Sequence, residues 1–388
     1  MEPARTWNQL VAPFAGAVEP PPERHTDEWA ASSRVLPDDA AIPGPFEPSL
    51  TPFMVPFMRA FDDGLYVTVV LVCGSQMGKT DSVANVMGRI LDDDPSPLMY
   101  VGPTRTFVEG TWEKRFSAMV ESCASLKAKL SKGGKTQKKT AKKFGTVTAR
   151  FAWAGSPTEL AGDPARKVLV DEIDRMKRNV GGEGSPKKLA DKRHETYADG
   201  QTGVTSTPTH GNVDAEFDPE TGLEHWQYSD DVQSPVWQEW QAGTRHEWAW
   251  PCPLCGDYFI PRMKWLWWPE GAGAPRAKRE AKLKCPNCSG LIGDEHKADM
   301  NARGRYVAPG QKVDRKGRVT GAPPEAEAIT FWVSGLCSPW KTFGDRAASW
   351  IEANRMGDPE AIQTSINTDF GELYAISGDA PDEDTVKA

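Results

Sequence analysis

Residues 67–80, Val67-Thr68-Val69-Val70-Leu71-Val72-Cys73-Gly74-Ser75-Gln76-Met77-Gly78-Lys79-Thr80, decide the fold. The first seven are a β-branched apolar run of the buried-strand kind. The next seven close on Gly-Lys-Thr, and a helical pattern continues to about Leu91. A strand, a glycine turn and a helix start are what a triphosphate needs. Successive N–H groups of the turn converge on phosphate oxygens, and the helix N-terminus adds partial positive charge. In that arrangement Gly74, Ser75, Gln76, Met77, Gly78, Lys79 and Thr80 cradle the nucleotide. Lys79 reaches the β- and γ-phosphates, and the Thr80 hydroxyl ligates Mg²⁺. The strict pattern has glycine where Cys73 stands, and Gly74 comes one place late. Taken alone, the stretch also fits a plain strand–helix turn carrying a surface lysine.

The flanking sequence favours the nucleotide. Short apolar runs at Leu98–Val101, Val147–Trp153, Val168–Val170 and Gly203–Thr207 alternate with helical stretches. That rhythm predicts an α/β fold, a mostly parallel sheet covered by helices on both faces. Val168-Leu169-Val170 ends in Asp171-Glu172. A carboxylate at such a strand tip holds Mg²⁺, here Asp171, and the next one, Glu172, polarises the water that attacks the γ-phosphate. Ser206 and Thr207 follow another strand, where hydroxyls can sense the γ-phosphate and report its loss; an ordinary Ser/Thr-Pro turn is the alternative there.

Composition sets the outer limits. The chain has 388 residues and a net charge of −8, from 46 basic against 54 acidic side chains. This length holds two or three domains and a sizeable core. No apolar run approaches the ~18 residues of a membrane span, and the N-terminal residues lack the apolar stretch of a secretory signal. The cytosol is the expected compartment. Residues 1–50, rich in Pro, Glu and Asp, predict a loosely packed arm, and 51–222 the nucleotide-binding core. Residues 223–330 break the strand–helix rhythm with Trp, Pro and Cys. Residues 331–376 predict a helical return or lid, and 377–388 an acidic linker.

Two further features stand out. Cys252 and Cys255 form one Cys-x-x-Cys pair and Cys285 and Cys288 another, 29 residues apart. Four thiolates so arranged match a closed, structural Zn²⁺ site, a ribbon inserted in the core. Cys73, Cys123 and Cys337 are expected to be ordinary buried thiols, and the tryptophans at 248–268 to pack under the ribbon. Eight lysines lie between Lys127 and Lys143. Such a run is either a solvated loop or a sequence-independent contact to DNA phosphates, with Lys135, Lys138, Lys139, Lys142 and Lys143 as the contacts.

Taken together, "CGSQMGKT" at 73–80, "VGPT" at 101–104, "VLVDEID" at 168–174 and "STPTHGN" at 206–212 resemble the large terminase subunit of tailed phages. "CPLC", "CPNC", "FWVSGLCSPW" at 331–340 and "INTDFGELY" at 366–374 make the lambda-type family the nearest likeness. The resemblance spans residues 45–375. It implies an ATP-driven motor that moves double-stranded DNA through a portal into a procapsid in the host cytoplasm, working as a ring with a terminase small subunit. It implies Glu172 and Lys79 as catalytic, Thr80 and Asp171 as the Mg²⁺ pair, and Ser206 with Thr207 as the coupling motif. Many relatives place an arginine where this chain has Ser75, so the charge that stabilises the transition state is expected from elsewhere. Arg105, Arg115 and Arg166 are the candidates, acting in their own site or in that of a neighbouring subunit. The family also carries a C-terminal nuclease. Only about a dozen residues follow "FGELY", so the nuclease domain is expected to be absent and no DNA cleavage is expected. A helicase-like remodeller and a non-catalytic zinc-binding assembly protein remain the alternative readings.

Overall fold

The apolar run at 68–73 becomes the strand around which the molecule is organised. The structure is a computed structural model that describes residues 24–38, 40–133 and 136–374. Its main sheet has eleven strands. In chain order these are β1 (Thr68–Cys73), β2 (Leu98–Gly102), β3 (Gln137–Lys138), β4 (Ala141–Phe144), β5 (Val147–Trp153), β6 (Lys167–Asp171), β7 (Gln201–Ser206), β8 (His246–Pro251), β9 (Tyr258–Phe259), β10 (Arg305–Val307) and β11 (Ala328–Val333). Across the sheet the order is β9-β8-β11-β1-β7-β6-β2-β5-β4-β3, with β10 pairing β8. Strands β8, β11, β1, β7, β6, β2 and β5 run parallel, and antiparallel pairs finish both edges. The parallel strands therefore end on one rim. Register puts Asp171 opposite Thr205, Ser206 opposite Val72, and Val333 opposite Cys73.

Alternation along these strands feeds two cores. Val69, Leu71, Cys73, Tyr100 and Leu169 face one side; Val70, Val72, Val101, Val170 and Val204 face the other. The first side carries helices α1 (Thr26–Ser33), α2 (Val55–Asp63), α3 (Lys79–Asp93) and α4 (Glu113–Ser122). Helices α5 (Pro186–Asp191) and α6 (Pro235–Gln241) cover the second, and α7 (Phe343–Met356) packs on the first core.

Three expectations about organisation change. The described part of the 1–50 arm is packed: Trp29 is fully buried, and its Nε1 donates to Asp92 Oδ2 at 2.8 Å. The Trp29 ring lies so close to α3 that a Cβ on Gly88 would stand 2.2 Å from it. Burial of the ring overrides the polar, proline-rich texture of its neighbours. Residues 1–23 lie outside the described residues. The boundaries at 223 and 330 also move, because β8, α6 and β10 all come from within 223–330 and belong to the main sheet and its cover. Residues 331–376 do not start as a helical return. They continue β11, which lies between β1 and β8 with Phe331–Val333 buried.

The lysine run is also more structured than a loop. It forms the edge hairpin β3–β4, and Lys142 is buried with its Nζ 2.7 Å from Glu113. Lys142 is thereby withdrawn from the set of DNA contacts, because its charge is already neutralised inside the fold. Lys138, Lys139 and Lys143 are exposed. Lys135 and the 377–388 linker lie outside the described residues.

Candidate nucleotide and metal sites

The phosphate loop joins β1 to α3. Gln76 and Gly78 take left-handed φ values of 53° and 97°, which curl the backbone around the point where α3 begins. Glycine suits the second position, since a Cβ there is strained. Lys79 is buried and folds back over the loop. Its Nζ donates to Gly74 O at 3.2 Å and to Thr207 Oγ1 at 2.7 Å, and stands 3.7 Å from Glu172 Oε1. Thr80, half-buried, opens onto a cavity of about 600 Å³ whose walls include Leu36, Phe46, Thr51, Gly78, Arg115 and Trp340.

The two acidic tips sit beside that lysine. Asp171 is fully buried; Thr205 Oγ1 donates to its Oδ1 at 2.6 Å and the Tyr100 hydroxyl to its Oδ2 at 3.0 Å. Burial, and then the adjacent Glu172 charge, push the Asp171 carboxyl above its ordinary value, while both hydrogen bonds and Lys79 act against them. The Tyr100 hydroxyl, buried against Asp171 and stacked on Trp112 with centroids 3.7 Å apart, is pushed well upward. Glu172 has a left-handed φ of 61°, rare for a side-chain-bearing residue, and its N–H donates to Thr205 O at 2.8 Å. That backbone twist turns the Glu172 side chain toward Lys79. Two carboxylates, one of them buried, thus face one buried lysine, and a divalent cation is the charge that would balance them.

Ser206 and Thr207 occupy the same rim. Thr207 holds Lys79, while Ser206 Oγ accepts from Asp174 N at 3.2 Å. Asp174 is the next hub: it accepts from Thr209 Oγ1 at 2.8 Å, from Ser234 Oγ, and from Val236 N at 3.0 Å in the first turn of α6. Sequence reasoning quoted Asp174 within "VLVDEID" but gave it no role. It also missed Tyr100, Thr205 and Thr368. Strand alternation would have found the first two, since each occupies a strand flanking β6 near Asp171. Nothing local marks Thr368, whose carbonyl accepts from Ser75 N at 2.8 Å. A Cβ on Gly74 would stand 2.5 Å from that same carbonyl.

The arginine candidates separate. Arg166 precedes β6 and so lies at the opposite end of the strand from Asp171. Its guanidinium is spent on Asp94 at 2.8 Å and on Asp199, pairs that raise its pKa further. That placement withdraws it. Arg105 is exposed just past β2, bound to Glu109 at 2.7 Å and lying 5.5 Å from the Trp153 ring centroid. Arg115, on α4, is exposed and lines the cavity beside Thr80. A further arginine outside the expected set, Arg175, has its Nε 3.3 Å from Glu172 Oε2.

The four cysteines converge, all Sγ atoms lying within 4.8 Å of one another. Cys252 and Cys288 Sγ are 3.9 Å apart, near the ~3.8 Å edge of a tetrahedron with Zn–S bonds of ~2.3 Å. Both pairs form the same turn. Gly256 N donates to Cys252 O and Ser289 N to Cys285 O, each at 2.9 Å, with left-handed φ values at Gly256 (82°) and Ser289 (58°). The donor set therefore fits Zn²⁺. Trp248, Trp250 and Trp268 are buried in the core that the module shares with the sheet. Cys73, Cys123 and Cys337 are buried free thiols.

Residues 40–306 match the family described as "Phage terminase large subunit gpA, ATPase domain". Residues 328–388 match "Terminase large subunit gpA, endonuclease domain". The second match corrects the expectation that the nuclease domain is absent. Counting residues after "FGELY" placed its boundary too late, because the matched stretch begins at β11, inside the ATPase sheet. The large terminase subunit of Enterobacteria phage P21 is 21% identical over 360 residues, 90% of this chain and 52% of that protein. The chain thus spans about half the length of this relative. Two solved structures are more distant. The Thermus phage P74-26 large terminase ATPase domain is 12% identical, with a TM-score of 0.42 over 83% of this chain and 93% of that one. The HK97 bacteriophage large terminase is 15% identical, with a TM-score of 0.40 over 48% and 38%. With the family match covering most of its length, the chain belongs to the phage terminase large subunit gpA family.

Proposed function

We propose that the chain is the ATPase of a viral genome packaging motor, hydrolysing ATP to drive double-stranded DNA through a portal into a procapsid in the host cytoplasm. The observation that carries this reading is the meeting of Lys79, Asp171 and Glu172 on one rim of the sheet, in a family of packaging ATPases. Thr80 and Asp171 would hold Mg²⁺, which when bound screens phosphate charge. Glu172 orients and polarises the attacking water, and Lys79 moves from Thr207 to the phosphates. Residues 74–80 cradle the triphosphate, and the cavity beside Thr80 has room for base and ribose. Losing the Lys79 contact lets Thr207 and Ser206 report nucleotide state to Asp174 and α6. That is the coupling role.

Arg105 and Arg115 are exposed on the rim, so either guanidinium would serve the site of a neighbouring subunit in a ring. Cys252, Cys255, Cys285 and Cys288 bind Zn²⁺ as a structural clip. Lys138, Lys139 and Lys143 contact DNA phosphates, and the small subunit and portal are the protein partners. A helicase-like reading needs a second nucleotide-binding lobe, whereas the described residues after 223 complete the same sheet and add the cysteine cluster. The test is ATP hydrolysis with and without double-stranded DNA, with zinc measured on the same sample. The reading expects DNA-stimulated hydrolysis that Lys79→Ala and Glu172→Gln both abolish. A wild-type chain that hydrolyses nothing, or ignores DNA, contradicts it.

A further inference from the structure

The segment leaving the catalytic strand is unusual for an acidic chain. Between Arg175 and Lys188 it carries Arg175, Lys177, Arg178, Lys187 and Lys188 against a single acid, Glu183. It is held in shape: Met176 and Val180 are buried anchors, and Val180 N donates to Gly184 O at 2.9 Å. Gly184 N donates to Asn179 Oδ1 at 3.2 Å, and Gly181, Gly182 and Gly184 all have left-handed φ values. Ser185 then caps α5. Arg175, just before the first anchor, and Lys177, Arg178 and Asn179, between the two, are exposed. Lys187 is paired with Asp191 and Glu239, and Lys188 lies in the field of Glu239. Among the described residues Lys177 has no ion-pair partner, and Arg178 donates to a backbone carbonyl, Gln233 O. Arg175 alone is shared with the active site. Its guanidinium is mostly exposed and stands 3.3 Å from Glu172 Oε2, an oxygen otherwise without a hydrogen-bond partner.

We propose that Arg175, Lys177 and Arg178 form a contact for the phosphodiester backbone of DNA, and that Arg175 is a positioning residue shared between that backbone and Glu172. The loop is cationic and held in shape by its own hydrogen bonds, which suits a contact to phosphates that does not depend on sequence. Glu172 rests between two cations, Lys79 on one oxygen and Arg175 on the other. Nucleotide phosphates draw Lys79 away. A DNA phosphate reaching the exposed side of Arg175 draws the second cation away, and the carboxylate is then free to align water. DNA on the loop would in this way raise turnover without altering the phosphate pocket.

This inference rests on the packaging-ATPase reading, so the experiment keeps the two apart. ATP turnover is measured against double-stranded DNA concentration at fixed salt for wild type, Arg175→Ala, Arg175→Lys and the double variant Lys177→Gln/Arg178→Gln. Melting temperature confirms that each is folded. Expected are a several-fold higher half-maximal DNA concentration for the double variant, and a stimulation ratio near one for Arg175→Ala. The KM for ATP in Arg175→Ala should stay within about twofold, and Arg175→Lys should recover most of the stimulation. Wild-type stimulation ratios in Arg175→Ala, or an unchanged DNA midpoint in the double variant, overturn the inference and leave the packaging reading intact. Loss of stimulation only on changing Lys138, Lys139 and Lys143 to Gln also overturns it, by seating the DNA on the edge hairpin. A wild type that ignores DNA sinks both.

Discussion

The carboxyl rim of the sheet and the four-cysteine module hold their working groups by different physical means. On the rim, register does the placing. Parallel pairing sets Asp171 beside Thr205 and Ser206 beside Val72, and buried strands on both sides lock those positions. In the module, strands are two or three residues long, at Leu266–Trp267, Lys282–Lys284 and Leu291–Ile292. So little pairing leaves a large share of the work of holding four sulfur atoms within 4.8 Å to the ion they would bind. The rim should therefore outlast loss of its metal, whereas the module should not.

The largest effect is expected from breaking the module. Cys285→Ser, or removal of zinc by a strong chelator, forfeits binding free energy on the order of 10 kcal/mol. Limited proteolysis should then open residues 252–292 while nucleotide binding at the rim persists. Simultaneous loss of both would show that the two regions are one unit. Next comes Glu172→Gln, which should lower turnover by about 10³-fold, or about 4 kcal/mol, with zinc content unchanged. Trp29→Ala tests whether the N-terminal segment belongs to the rim's support. Removing a fully buried indole costs about 3–5 kcal/mol, read as a lower denaturation midpoint. A change below about 1 kcal/mol would return the segment to the status of an arm.

The smallest effect concerns the seam between the two regions. Glu372 accepts from Met263 N at 2.7 Å, and burial pushes its carboxyl up to about 7. Between about pH 4.5 and 7 the folded chain therefore keeps a proton that the unfolded chain has lost. The stability this group contributes is complete below the unfolded value and is lost as pH rises through 7. Glu372→Gln should flatten the pH dependence of the denaturation midpoint across that window; an unaltered slope would place the titration elsewhere.

What could be read from the sequence follows the same division. Lys79, Asp171, Glu172 and Ser206 were legible because each ends a buried β-branched strand or opens the helix after one, so local pattern carries the position. The cysteine pairs were legible from spacing. The place of β11 beside β1 was not, because the pairing of Val333 with Cys73 spans 260 residues and leaves no local mark. Nor was the packing of Trp29, since one aromatic in a polar, proline-rich stretch gives no periodicity. Arg166 misled because nearness in sequence to Asp171 ignores that a strand separates its two ends. Arg175 escaped notice because only the left-handed turn at Glu172 brings it to the carboxylate.

The central claim is that Thr80, Lys79, Asp171 and Glu172 surround one metal–nucleotide complex. It is tested most directly by titrating Mn²⁺, as a spectroscopic substitute for Mg²⁺, into zinc-loaded protein with a non-hydrolysable ATP analogue. One Mn²⁺ should bind tightly only when the analogue is present, and Asp171→Asn or Thr80→Ala should weaken it at least tenfold. Mn²⁺ held equally well by both variants, or bound without nucleotide, would place the metal elsewhere and contradict the account.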